Sequence, residues 1–306
     1  MFALAFAFIT YLSNSEIFNT THHSLTTHNA KIVELLSATD SLVSEQVKRN
    51  LHELYMQAKR LGQPNINGSS VIGGKQVPTL YFGSYNQIND FTLVDQVVKE
   101  FGGSATLFVR AKDEYVRVST TILREGKRAV GTILALHGRA ASYIMRGEPY
   151  FGMVDILGEP YITGYMPMID QDKRVIGIWY VGFKADTALL QHFIKTTPPS
   201  VNGEAFTALL DEHGRIRAVS QAIDNRRVAE IMDGMENWVQ QSLNYEPWSY
   251  TVTSGISRDS IDLLMSERLY SNLKSIIFLY LLTLACLGIL TKIIATKKNG
   301  RLKNVH

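Results

Sequence analysis

A single cysteine, Cys286, serves 306 residues and lies in an apolar run, so neither an intrachain disulfide nor a cysteine-ligated metal site can be built. An extracytoplasmic domain without disulfides suits a bacterial periplasm better than a secreted eukaryotic setting. The sequons at Asn19 and Asn67 then read as chance matches. A large net charge is also missing. The net charge is +3, and the basic residues do not interleave with aromatics along one helix, which argues against nucleic acid. Catalytic signatures are missing too: there is no GxxxxGK[ST], no HExxH, no GxSxG and no cysteine–histidine pairing outside the apolar run. The chain therefore reads as a binding protein and not an enzyme, with no cofactor and no metal.

Long apolar runs occur only at the two ends. Met1–Leu12 (MFALAFAFITYL) has no charge, but it is shorter than the roughly 20 residues that cross a bilayer and has no basic leader. Residues 1–14 are expected to be the C-terminal half of a first transmembrane helix, or a short signal anchor. Near the other end, Ile276–Leu290 is uninterrupted, and snorkelling by Lys292 extends it to a crossing, giving a transmembrane helix over 271–295. Lys297, Lys298, Arg301 and Lys303 follow in a short tail, 296–306, which the positive-inside bias puts in the cytoplasm.

Between the ends, residues 15–62 lack proline and place Leu25, Ile32, Leu36, Val43, Val47, Leu51 and Leu54 at steps of mostly three or four. That spacing makes one apolar stripe on a long stalk helix, which serves either to form a dimer or to pack along its own sheet domain. His22, His23 and His28 on this helix are expected on a solvated face. Gly62–Tyr85, rich in Gly, Pro, Asn and Ser, reads as an irregular cross-over. Asp90–Phe101 reads as a short helix with Asp90 as N-cap and Gly102 as its stop.

The strand signals concentrate in Ala105–Gly182. ATLFVR (105–110) and YVRVST (115–120) flank a charged turn and form a hairpin; a basic loop with Arg124, Lys127 and Arg128 follows, and then a short helix over Arg139–Met145. Three more strands are expected at Tyr150–Ile156, Pro160–Met168 and Val175–Gly182. Two strands, a helix and three strands make a PAS-like antiparallel sheet, so the fold class is α+β: this sheet on a long N-terminal helix, with a C-terminal transmembrane helix. After the Thr196–Gly203 linker, a hairpin over Ala205–Ser220, a helix over Arg226–Leu243 and a strand over Pro247–Gly255 suggest a smaller, membrane-proximal α/β module, 198–266. The acidic residues Asp113, Glu114, Asp211 and Glu212 sit in turns, where solvation explains them.

Strand periodicity also nominates a binding surface. In YVRVST, Val116 and Val118 share one face while Tyr115, Arg117 and Ser119 share the other; in PYITGYM, Tyr161, Thr163 and Tyr165 oppose Ile162 and Met166. Two strands presenting hydroxyls, one of them with a guanidinium, suit a small anion such as a carboxylate. The same alternation also describes any half-exposed sheet with Arg117 in water.

The wording of the stretch is more specific than its periodicity. FTLVDQVVKEFGGSATLFVR, YVRVST, RAVGT (128–132), the Gly147–Tyr150 run and DILGEPYITGYMPMIDQDKRVIGIWYVG resemble the Cache sensor domains of bacterial chemoreceptors, in particular the Cache 3/Cache 2 fusion type. The resemblance covers about Phe91 to Gly182, is weaker over the N-terminal helix and is poor after Pro198. It implies that residues 63–197 are a Cache sensor domain in the periplasm of an inner-membrane receptor. Such a domain would bind a small organic ligand and drive a transmembrane helix, with the pocket between the sheet and the segment linking its halves. By that likeness the ligand-binding residues are Arg117, Arg128, Tyr143, Tyr161, Thr163 and Tyr165. It also implies a homodimer and a cytoplasmic output module of the methyl-accepting, kinase or cyclase kind, or a separate partner protein. The alternative is a membrane-anchored scaffold that keeps the Cache fold and senses through a partner.

Overall fold

Neither proline nor glycine occurs before Gly62, so nothing breaks the first helix. Helix α1 (Phe2–Leu61) runs uninterrupted for 60 residues, about 90 Å at the rise of an α-helix. The computed structural model describes residues 2–134, 139–185, 188–220, 227–228, 230–231 and 237–303. The apolar N-terminal segment and the stalk are thus one element. Its stripe turns inward: Leu51, Leu54 and Ala58 bury in one core, Ile32, Leu36 and Val47 in a second, and Leu25 in a third. His22 and His23 are solvated, but His28 corrects the expectation, because its side of the helix faces a sheet. It is buried, and its Nε2 lies 3.0 Å from Thr207 Oγ1.

Gly62–Tyr85 is a second correction, because it is a three-stranded sheet: β1 (Pro64–Ile72), β2 (Lys75–Phe82) and β3 (Tyr85–Asn86). Gly73 and Gly74, with φ of 54° and 78°, make the two-residue turn that a hairpin of this type requires. Most of β1 faces solvent, so its sequence lacks the apolar alternation that marks a half-buried strand.

Helix α2 (Thr92–Phe101) starts one residue later than expected, with Phe91 at its N-cap and no side-chain capping bond, while Asp90 Oδ1 accepts from the Thr92 N–H at 2.9 Å in the turn before it; it ends at Gly102, whose φ is 75°. It leads into β4 (Ser104–Ala111) and β5 (Glu114–Thr120). The small hairpin β6 (Leu123–Arg124) and β7 (Lys127–Arg128) and helix α3 (Arg139–Met145) follow. Then come β8 (Tyr150–Ile156), β9 (Glu159–Ile169) and β10 (Val175–Lys184). These form an antiparallel five-stranded sheet in the order β5-β4-β10-β9-β8. One face is apolar and packs on α1 and α2, with Trp179 stacked on Phe82 at 5.0 Å. The other face carries hydroxyls, aromatics and Arg117, and α3 covers part of it.

Helix α4 (Ala188–Thr196) leads to a second sheet of β11 (Ala205–Leu210), β12 (Ile216–Val219), β13 (Trp238–Tyr245) and β14 (Tyr250–Ser257), ordered β12-β11-β14-β13. β13 corrects the expected helix over 226–243. Residues 227, 228, 230 and 231 are helical, but Trp238–Tyr245 pairs along its length with β14, and tertiary pairing of this kind overrides helix-forming composition. Asp211 is also not a solvated turn residue. It is buried and accepts bonds from the N–H groups of His213 and Arg215, each at 3.0 Å, and from Arg215 Nε at 2.7 Å. Asp170 holds the β9–β10 turn in the same way through Asp172 and Arg174.

The last helix, α5 (Arg258–Lys303), is continuous with β14 and passes from the second sheet into the apolar segment. Among the described residues, Arg258–Ile293 is the one stretch long and apolar enough to cross a membrane. α5 runs beside the start of α1, bringing Arg268 within 3.9 Å of Glu16.

Candidate ligand-binding site

Arg117 sits in the middle of β5, opposite Phe108 of β4, with its side chain on the less apolar face of the five-stranded sheet. It is only 5% exposed. A segment beyond β7 runs antiparallel along β5 and closes over it: Arg117 N donates to Thr132 O at 2.9 Å, Gly131 N to Arg117 O at 2.8 Å, and Leu134 N to Tyr115 O at 2.9 Å. This gives the RAVGT run a physical role. It places Thr132 so that its Oγ1 accepts a bond from Arg117 Nη1 at 2.7 Å while donating to Ala129 O at 2.7 Å. The guanidinium also lies over the Phe108 ring, 5.1 Å from its centroid.

What the guanidinium lacks is a counter-ion. Among the described residues no carboxylate pairs with it, and Arg117 Nε has no hydrogen-bond partner. Burial pushes its pKa down, opposed by the neighbouring Tyr165 and Tyr180, although a guanidinium remains charged in proteins. Tyr165, fully buried on β9, has a hydroxyl that is likewise without a partner. Burial pushes the Tyr165 and Tyr180 phenols well above the usual tyrosine range, so both stay neutral donors. Each unsatisfied buried polar group costs about 1–3 kcal/mol, and an unpaired buried cation costs several. A buried cation and an unpartnered phenol O–H that interact electrostatically on one face are groups of the kind that bind a carboxylate or similar anion.

The aromatic rings beside Arg117 form a chain across the strands. Tyr165 and Tyr180 are 4.9 Å apart between centroids, Tyr150 and Tyr165 6.3 Å, and Tyr143 and Tyr150 5.5 Å. Tyr180 hydroxyl contacts Ser104 Oγ at 3.2 Å. It can stand there because residue 182 is glycine: a Cβ at Gly182 would overlap the Tyr180 hydroxyl. Thr106 and Thr120 add a buried hydroxyl pair at 2.6 Å on the neighbouring strands.

The structure brings Arg117 and Tyr165 together and treats the other sequence-derived residues unequally. Thr163 lies on the same face, but its hydroxyl donates to Gly152 O at 2.7 Å and is therefore already engaged. Tyr161 is half-buried at the edge of the same cluster. Tyr143 is 41% exposed on α3, with the Arg146 guanidinium 4.6 Å over its ring, so it forms the outer end of the aromatic chain. Arg128 is held elsewhere: its two Nη atoms each meet an Asp95 carboxylate oxygen at 2.8 Å, and it stacks 4.2 Å over Phe91 at the start of α2. Ser119 leaves the face as well, because a bulge after Leu107 turns its hydroxyl to Asp90 O at 2.6 Å.

Phe108, Thr132, Tyr150 and Tyr180 join the site without having been read from the sequence. Extending the two-residue period to β4 and β10 finds Phe108 and Tyr180, since Thr106/Phe108 and Ile178/Tyr180 alternate with the core residues Leu107 and Trp179. Thr132 has no such signal.

No curated protein matches the chain. Among solved structures, the sensory domain of the Campylobacter jejuni chemoreceptor Tlp3 aligns with 12% identity and a TM-score of 0.45, covering 82% of this chain and 99% of that one. The same domain in complex with L-valine aligns with 12% identity and a TM-score of 0.44, covering 82% and 98%. The sensor domain of the V. cholerae histidine kinase DctB aligns with 12% identity and a TM-score of 0.34, covering 54% and 76%. The family model of the Cache 3/Cache 2 fusion domain matches residues 11–266, which extends the likeness through the second sheet, beyond the Phe91–Gly182 stretch on which the sequence resemblance rests. The chain belongs to the Cache 3/Cache 2 fusion domain family.

Proposed function

We propose that this chain is the extracytoplasmic sensor of a bacterial inner-membrane receptor, binding a small organic carboxylate at Arg117 and passing the event to the membrane through α1 and α5. The observation that carries this reading is the buried Arg117 guanidinium with its unpaired Nε–H beside the unpaired Tyr165 hydroxyl. Arg117 and Tyr165 are buried among the described residues, and on this reading the 129–134 segment moves from the edge of β5 when a ligand enters. The segment's backbone bonds and the Thr132 contact are then exchanged for bonds to the ligand. A ligand that binds only the lifted form stabilises that form by its full binding free energy.

Transmission follows from continuity. β14 passes directly into α5, and α1 is packed on both large sheets, so a shift at the five-stranded sheet has a rigid path to both helices. The signal is read by a cytoplasmic output module or partner protein. The receptor works as a homodimer through exposed parts of α1, on which Phe18 and Leu42 are solvent-facing.

Thermal unfolding of the full chain against a panel of small carboxylates, amino acids and purines tests the reading. A ligand at a hundred times its Kd raises stability by about 2.7 kcal/mol, and the hits should include carboxylates whose effect disappears in Arg117→Met. A panel without hits, or one in which every hit survives the substitution, refutes it.

A further inference from the structure

The opposite face of the same sheet carries a second concavity, of about 540 Å³, between α1 and strands β8, β9 and β10. That volume falls in the range of small-molecule sites. Strand alternation separates it from the Arg117 site, because Trp179 points to this side and Tyr180 to the other. Its floor is rigid: the Trp179 indole is 2% exposed, stacked on Phe82 at 5.0 Å, and met edge-on by Tyr55 at 6.0 Å. Met166 and Phe151 line one wall, and Phe151 is 41% exposed, far more than a side chain that merely filled a core. The rim on α1 carries Lys48 and His52, and among the described residues no carboxylate lines the concavity. Among the described residues the Lys48 ammonium is tied to Glu45 one turn away, a contact between two exposed side chains that contributes little.

We infer that this groove is a second binding site, for an amphipathic organic anion whose aromatic body lies on Trp179 and Phe151 and whose carboxylate meets Lys48. Its occupant touches α1 directly and wedges it from the sheet. The groove therefore acts on the long helix without passing through Arg117, which makes it a separate input to the same receptor. A basic rim above an apolar, aromatic floor selects against both neutral hydrocarbons and small polar anions.

The test is calorimetric titration of the full chain in lipid nanodiscs with phenylacetate, and with phenylacetamide as its uncharged counterpart. Phenylacetate should bind in the millimolar range or tighter, and phenylacetamide about tenfold more weakly, as expected for loss of one charge-assisted contact. Lys48→Gln and Phe151→Ala each change an exposed side chain, and each should weaken phenylacetate about tenfold. Arg117→Met, which removes the other site, should leave the isotherm in place. Absence of binding at millimolar concentration, an isotherm that either groove variant leaves unchanged, or one lost in Arg117→Met overturns the inference.

Discussion

Replacing Arg117 with methionine should separate stability from binding, because the two respond in opposite directions. In the closed form Arg117 gives one charge-assisted hydrogen bond to Thr132, worth about 1.5–3 kcal/mol, and a cation–π contact with Phe108, worth about 0.5–2 kcal/mol. Against these stands the desolvation of a buried cation without a counter-ion, a penalty of several kcal/mol. The terms nearly cancel, and apolar replacement of buried charge is often neutral or stabilising by about 1–4 kcal/mol. The ligand-free variant should therefore unfold at the wild-type temperature or several degrees above it, since 1 kcal/mol moves Tm by about 2–4 °C in proteins of this size class. The ligand-dependent shift should vanish, because the methionine side chain offers the carboxylate no donor. Differential scanning calorimetry with and without a carboxylate hit reads both quantities in one experiment. A variant that loses several kcal/mol without ligand yet keeps the full ligand shift would show Arg117 to be a structural residue and refute the reasoning.

Three further outcomes follow from the same contacts. Gly182→Ala forces a Cβ onto the Tyr180 hydroxyl; it should cost about 1–3 kcal/mol in denaturant unfolding and reduce carboxylate binding by displacing Tyr180. Breaking the half-exposed Arg128–Asp95 pair with Arg128→Met should cost about 1 kcal/mol and leave carboxylate affinity unchanged in titration, because that pair holds α2 and not the site. His28 is expected to make stability pH-dependent: burial and then Lys31 lower its pKa, so the unfolded chain takes up a proton that the folded chain refuses. Stability is then complete above about pH 6.5, the unfolded value, and falls as pH drops below it toward the lowered folded value. Denaturant midpoints across that window should lose part of this slope in His28→Gln, and an unchanged slope would contradict the assignment.

The sequence made the five-stranded sheet legible because its strands are buried on at least one face and bounded by turn residues. Lys112 and Leu157, for example, adopt positive φ where the hairpins reverse. It concealed β1, whose residues mostly face solvent, and β13, whose helix-forming composition yields to pairing with β14. At the site, period-two alternation correctly put Arg117 and Tyr165 on one face, since neither strand carries a bulge between the relevant residues. It failed at Ser119 because a bulge is a backbone event with no side-chain signature, and at Arg128 because its partner Asp95 lies 33 residues away. The charge of Arg117 was visible in the sequence. That no carboxylate among the described residues neutralises it was not, because that depends on which carboxylates reach the site in space.

The central claim is that Arg117 and Tyr165 keep donors in reserve for an anion, and a structure of the chain with a bound carboxylate tests it most directly. The account predicts a carboxylate oxygen about 2.7–2.9 Å from Arg117 Nε, a second oxygen accepting from the Tyr165 hydroxyl, and the 129–134 segment shifted from β5. A carboxylate whose binding Arg117→Met abolishes, found with Arg117 Nε and the Tyr165 hydroxyl still unpaired, would contradict it.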